Sequence, residues 1–148
     1  MKSEIQPPTI FAALLVLSAA LHCTYPTRQV AEPPWAFVGV LLIGFGVVLN
    51  LWADSLFKRC GTTVKPQEIP TALIVSGPFR ISRHPMYLGM ATILLGEAVV
   101  LGSLAGLLFP LIFAGLMEAL FMPREEKMLE EAFGEEYLDY RRRVRRWI

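Results

Sequence analysis

The longest apolar run in the chain sets the first constraint. From Met86 to Met122 only Glu97, Ser103, Glu118 and a few small residues interrupt 37 residues of apolar sequence. A single helix of that length, rising about 1.5 Å per residue, far overshoots a hydrocarbon core of about 30 Å. The run must fold back, and Leu101-Gly102-Ser103 is the natural tight turn near its middle. Two more apolar stretches precede it: Pro8–Thr24, and Trp35–Phe57 with only Asn50 and Asp54 strongly polar. The chain is 54% hydrophobic and 18% charged over 148 residues. A soluble domain of that size has too little interior to hide so much apolar surface. The alternating pattern of barrel strands is missing. These features predict a single all-α integral membrane domain of about four transmembrane helices, near 8–24, 35–57, 86–101 and 104–122. Spans three and four form a helical hairpin. Lys2 before the first apolar stretch could suggest a signal peptide, but Glu4 and Pro7-Pro8 interrupt the basic region and no A-x-A site follows. A lipoprotein-type site at Cys23 is poor because His22 sits where a small residue is wanted. The stretch is expected to be a retained span.

Charge fixes the expected orientation. Of 14 Lys and Arg, 13 fall in the N-terminus (Lys2), in the loop 58–85 (Lys58, Arg59, Lys65, Arg80, Arg83), or beyond Pro123 (Arg124, Lys127 and five arginines between Arg141 and Arg146). Only Arg28 falls on the other side. By the positive-inside rule a multi-pass protein of the cytoplasmic membrane is expected, with both termini cytoplasmic. The tail 123–148 carries Leu129, Phe133, Tyr137 and Tyr140 at helical spacing, which predicts a cytoplasmic amphipathic helix, weakened or bent at Gly134. Its arginines suit anionic headgroups, so membrane lipid is an expected partner. A net charge of +1 gives no reason to expect nucleic acid. Two distant cysteines, Cys23 and Cys60, and two histidines give neither a disulfide framework nor a metal site. Oligomeric state is left open.

Polar residues converge at one mouth of the hairpin. Pro85 suits the first turn of span three, which puts Arg83 and His84 at its start, with Tyr87 three residues on and on the same face. Gly89 allows a backbone or a ligand to approach closely. Arg, His and Tyr also favour the headgroup level as plain interfacial anchors. The hairpin brings Arg124, Glu125 and Glu126, just past span four, to the same face. Within the spans, Asn50 and Asp54 share a face, Glu118 lies a turn or two from Arg124, and Glu97 lies nearer the far side. Such residues face a bundle or cavity.

The residues Arg83-His84-Pro85-x-Tyr87-x-Gly89, then Glu125-Glu126-x-x-Leu129, then Phe133-Gly134-x-x-Tyr137-x-x-Tyr140 resemble the isoprenylcysteine carboxyl methyltransferases and their prokaryotic relatives over about residues 63–146. The resemblance implies S-adenosylmethionine held on the cytoplasmic side, without a Rossmann domain. It implies cofactor binding by His84, Pro85, Tyr87, Gly89, Glu125 and Glu126, with the loop around Leu73, Val75 and Gly77 closing over the adenosine end. It places Arg83, Arg124 and Glu126 in catalysis, with Arg83 and Arg124 where the methyl acceptor arrives. Asn50, Asp54 and Glu118 are the candidates for substrate binding. The acceptor would be lipid-attached or lipidic, entering sideways between helices. The expected spans are fewer than in the eukaryotic enzymes of the family.

A carboxylate acceptor is already ionised at neutral pH, so it needs orientation and a dry site but no base. Arginine suits it as a bidentate clamp. A phospholipid amine must first lose a proton, which calls for a base such as Glu118, Glu125 or Glu126. An isoprenoid carboxylate and a small thiol are further candidates. Outside methyl transfer stand a sterol-reductase-like NADPH enzyme and a non-enzymatic membrane scaffold. No Walker motif, dinucleotide fingerprint or nucleophile elbow is present.

Overall fold

The computed structural model describes residues 6–24, 33–62 and 70–148. Lys2, Glu4, Arg28 and Lys65, which enter the topology expectation, lie outside the described residues. Those described form six α-helices: α1 (Pro7–Thr24), α2 (Pro33–Arg59), α3 (Pro85–Val100), α4 (Leu108–Leu116), α5 (Met122–Phe133) and α6 (Glu135–Arg143). Among the described residues there is no strand. Pro7–Thr24, Trp35–Arg59 and Ala105–Phe133 are long and apolar enough to cross a bilayer. The third expected span is the short one: α3 has 16 residues, about 24 Å of helix.

The expected hairpin is present and its turn has a clear cause. Gly102 takes φ +62° after α3. Its N–H bonds the Val99 carbonyl at 3.1 Å, and the Ser103 N–H bonds Ala98 at 3.0 Å. This paired closure satisfies the last carbonyls of α3 and stops the helix. The return leg differs from expectation. It does not stop at Met122 but continues through a 3₁₀ turn (Ala105–Leu107), α4, a π segment (Met117–Phe121) and α5. Pro123 has no N–H and its ring crowds the turn before it. The chain answers by widening that turn, and the Met122 N–H bonds Met117, five residues back. The tail is two helices rather than one, because Gly134 takes φ +52° between α5 and α6.

Helices α2 and α3 make the main seam of the bundle. A Cβ built on Gly46 would lie 2.5 Å from the Gly89 carbonyl oxygen, and one on Gly39 would lie 2.6 Å from that of Gly96. Backbones this close need small residues, which is how helices pack when lipid removes the hydrophobic drive between them. The outer face of α2, including Phe37, Leu41, Phe45 and Val48, is exposed and suited to acyl chains.

Two apolar clusters carry the rest. One joins Tyr87, Leu94, Phe113, Met117 and Met122 with Ile10, Phe11, Leu14 and Leu15 of α1. The other sits at the end of the bundle where α2 finishes. It joins Ala53, Ile74, Phe79, Tyr137 and Tyr140, with Leu129 and Phe133 packed against it. The expected stripe of the tail is thus real. It faces the end of α2 and the loop before α3, and so roofs that end of the bundle.

Candidate active site

The site is built where α3 begins and α5 leaves the return leg. His84 is the N-cap residue of α3 and Pro85 opens the helix. Tyr87 follows nearly one turn later, its ring stacked on the His84 imidazole with centroids 5.6 Å apart and planes 10° from parallel. Glu125 and Glu126 come from the first turns of α5. Neighbouring carboxylates on a helix diverge, and here they take opposite nitrogens of the His84 ring and otherwise separate partners. Glu125 faces His84 Nδ1 at 3.3 Å and accepts the Tyr87 hydroxyl. Glu126, 4% exposed, faces His84 Nε2 at 3.3 Å and Arg83 Nη2 at 3.1 Å. It also takes the Arg146 fork, Nε to Oε1 at 2.8 Å and Nη2 to Oε2 at 2.9 Å.

The electrostatics follow from this geometry. Burial alone would lower the His84 pKa, but hydrogen bonds and charge from Glu125 and Glu126 outweigh it and the net shift is upward. Both ring nitrogens meet a carboxylate oxygen, so the imidazolium, which donates from both, is the form that satisfies them. Arg83 is buried to 10% side-chain exposure. One of its nitrogens holds Glu126, while Nε and Nη1, with the Tyr137 hydroxyl nearby, make no well-formed hydrogen bond among the described residues.

A cavity of about 340 Å³ opens beside these groups. Its polar lining comes from Gln6, Arg83, His84, Tyr87 and Glu125; its apolar walls include Phe57, Leu73, Ile74, Met86, Met90 and Leu129, with Tyr140 above and Pro7 and Pro8 of α1 at the side. The same end of the bundle therefore gathers the start of α1, the end of α2, the start of α3 and the tail.

The expected site residues divide by location. Arg83, His84, Pro85, Tyr87, Glu125 and Leu73 line the cavity. Glu126 sits behind this wall, holding Arg83 and His84. Val75 is exposed and Gly77 packs on Trp52 and Leu56, so it is Leu73 and Ile74 that reach the cavity from that loop. Gly89 serves a backbone neighbour: it abuts Gly46 and Asn50 of α2. Asn50 donates to the Gly46 carbonyl at 2.8 Å, and Asp54 pairs with Lys58 at 2.5 Å. Glu118 accepts Arg146 Nη1 at 2.5 Å and the Trp147 indole at 2.7 Å. The three residues expected to bind substrate thus stand off the cavity, and Arg124 is exposed and outside its lining. Sequence reasoning missed Arg146, one arginine in a basic run, and Ser82, whose only mark is its place beside Arg83. It also missed the methionine and phenylalanine walls, which read as ordinary span residues.

An apolar helical bundle with a mostly apolar cavity at one end, polar along one wall, is that of a multi-pass membrane protein. The chain belongs to the phospholipid methyltransferase family, whose profile matches residues 35–136. The fold is similar to that of the eukaryotic intramembrane Ras methyltransferase ICMT (isoprenylcysteine carboxyl methyltransferase), with TM-score 0.71 and 23% identity over 94% of this chain. This chain spans 50% of that one, and the likeness bears out the expected fold. A protein of Haemophilus influenzae (strain ATCC 51907 / DSM 11121 / KW20 / Rd), described as uncharacterized, is 40% identical over 63 residues, 43% of this chain and all of its own.

Proposed function

We propose that the protein is an integral-membrane methyltransferase that uses S-adenosylmethionine to methylate the carboxylate of a lipid-borne acceptor of isoprenylcysteine type. Family membership supports methyl transfer in the membrane. The observation that carries the acceptor class is Arg83: a buried guanidinium on the cavity wall, held from one side by Glu126, with Nε and Nη1 making no well-formed hydrogen bond among the described residues. Buried donors are costly to leave unpaired, and a carboxylate oxygen is the acceptor that fits them best.

The cavity also suits the cofactor. Its volume lies within the roughly 300–1,000 Å³ usual for small-molecule sites. His84, Tyr87 and Glu125 supply polar groups for the cofactor's amino-acid and ribose functions, and Leu73, Ile74 and Phe57 supply apolar contact. When bound, S-adenosylmethionine supplies an electrophilic methyl group on a sulfonium. The protein's own part is to orient and to dry. Arg83 aligns the acceptor carboxylate, which is ionised at neutral pH and needs no base. Apolar walls keep water from competing as acceptor. Glu125 is engaged by Tyr87 and His84 together, which weakens it as the base an amine acceptor requires.

The test supplies the purified protein with S-adenosylmethionine labelled in its methyl group, together with an S-prenylated cysteine analogue or phosphatidylethanolamine. Carboxylate methylation gives label released by mild base as volatile methanol. Base-stable label on the amine would favour N-methylation of a phospholipid, the substrate class the family description names. Orientation has its own test. Exposed Cys60 lies at the site end of the bundle and exposed Cys23 at the opposite end. With both termini cytoplasmic, an impermeant maleimide labels Cys23 in cells whose inner membrane is intact, and Cys60 only after permeabilisation.

A further inference from the structure

We infer that the C-terminal segment Val144–Ile148 is a strap that sets the site from behind, with Arg146 as a positioning residue for Glu126 and, through it, for His84 and Arg83. The segment leaves α6 in extended conformation at Val144 and runs back along the loop before α3. The Arg83 N–H bonds the Arg145 carbonyl at 3.0 Å. The Ser82 hydroxyl donates to the Arg146 carbonyl at 2.9 Å, and Ser82 Oγ in turn accepts the His84 N–H at 3.1 Å. Ser82 is 1% exposed, so this relay between the strap and the His84 backbone is shielded from water. Trp147 anchors the strap, with its ring on the cluster around Met117 and Met122 and its N–H on Glu118.

Arg146 ties the strap to the chemistry. One guanidinium grips Glu126 with a two-pronged fork and Glu118 with its remaining nitrogen. Residues eight apart on a regular α-helix are offset by about 80° around its axis. The wide π turn between these two glutamates removes much of that offset and brings both carboxylates to one side. The two contacts differ in weight. Glu118 is 42% exposed, and a pair of that kind contributes little. Glu126 is 5% exposed on its side chain and is shared with Arg83 and His84, so the fork fixes which way its oxygens point. Arg146 and Trp147 are absent from the cavity lining. They act on the site only through the residues they hold.

The inference uses the methyltransferase reading only for its reporter ligand. The full chain in detergent is titrated with S-adenosylhomocysteine, and the His84 imidazole is followed by NMR without ligand. Arg146→Lys keeps the charge but loses the fork. It is expected to bind roughly tenfold or more weakly, by analogy with the loss when an outer partner of a metal ligand is removed, and to shift the His84 resonances. Arg142→Ala, which removes an exposed pair with Asp139, is expected to match wild type in both. Wild-type binding and an unchanged His84 spectrum in Arg146→Lys would overturn the strap. If wild type itself fails to bind S-adenosylhomocysteine, the cofactor reading fails instead. The strap is then decided by the His84 spectrum and by exchange of the Arg83 amide, which Arg146→Lys must accelerate for the inference to stand. Ser82→Ala gives a second, milder variant that keeps every charge and must move the same two signals.

Discussion

The seam between α2 and α3 and the polar knot at their site end are held by opposite means. At the seam, glycine faces glycine and backbone meets backbone; almost no charge is involved and the fit is one of shape. In the knot, two carboxylates, two guanidiniums and an imidazole pack together, and fit is a matter of charge balance. The seam can fail by gaining an atom, and the knot by losing one. The seam positions α3 and so the start of that helix, where His84 and Tyr87 sit. The knot then sets the orientation of those side chains.

The largest break is expected at Glu126. Glu126→Ala leaves Arg83 buried without its counter-charge, and removal of one partner of a buried ion pair destabilises by about 3–5 kcal/mol. Denaturant unfolding of the detergent-solubilised protein measures it. The double variant Glu126→Ala/Arg83→Met should recover much of that stability while leaving methyl transfer dead. A double variant no more stable than the single one would mean that shape, not charge, governs the knot as well. The seam comes next. Gly46→Val places atoms where the Gly89 backbone already stands, an overpacking worth about 1–3 kcal/mol, and no charge change elsewhere should relieve it. Wild-type stability in that variant would show that α2 and α3 can part without loss.

The pH dependence sharpens the contrast, because only the knot titrates. The pKa of His84 is raised in the folded protein, since its carboxylate hydrogen bonds outweigh burial. A group raised on folding stabilises fully below its unfolded value, about 6.5 for histidine, and that contribution disappears as pH climbs through the folded value. Wild type should therefore lose stability on going from about pH 6.5 into the alkaline range, and His84→Gln should lose less. Equal slopes in the two proteins would mean that the knot does not raise the histidine's pKa.

Much of this division was legible in the sequence, and the reasons differ by region. The hairpin was visible because a 37-residue apolar run cannot cross a bilayer once. Arg83, His84, Tyr87 and Glu125 were visible because the hairpin must bring 83–87 and 124–126 to one face. The π turn was hidden: Pro123 marks a disturbance, but its outcome depends on what the following helix packs against. Asn50, Asp54 and Glu118 drew attention because polar groups in a span are expensive. The structure meets that expense locally, through a backbone carbonyl, a lysine four residues on, and Arg146 with Trp147. Arg146 was illegible for a general reason. Five arginines between 141 and 146 look alike until the strap's path shows which one turns inward.

The smallest expected effect concerns the pair that sequence could not tell apart. Arg83 and Arg124 each adjoin a histidine or glutamate of the motif, and each could be read as the acceptor's clamp. Arg83 is nine-tenths buried on the cavity wall, whereas Arg124 is exposed. An exposed side chain outside such features changes stability by no more than about 0.5 kcal/mol when truncated. Arg124→Ala should therefore melt like wild type and bind S-adenosylhomocysteine like wild type. Arg83→Lys keeps the charge but loses the planar edge, and should raise the acceptor KM while leaving cofactor affinity nearly intact. The two variants read the same quantity from inside and outside the cavity. If Arg124→Ala raised the acceptor KM as much as Arg83→Lys, the acceptor would have to reach beyond the cavity, across the first turn of α5.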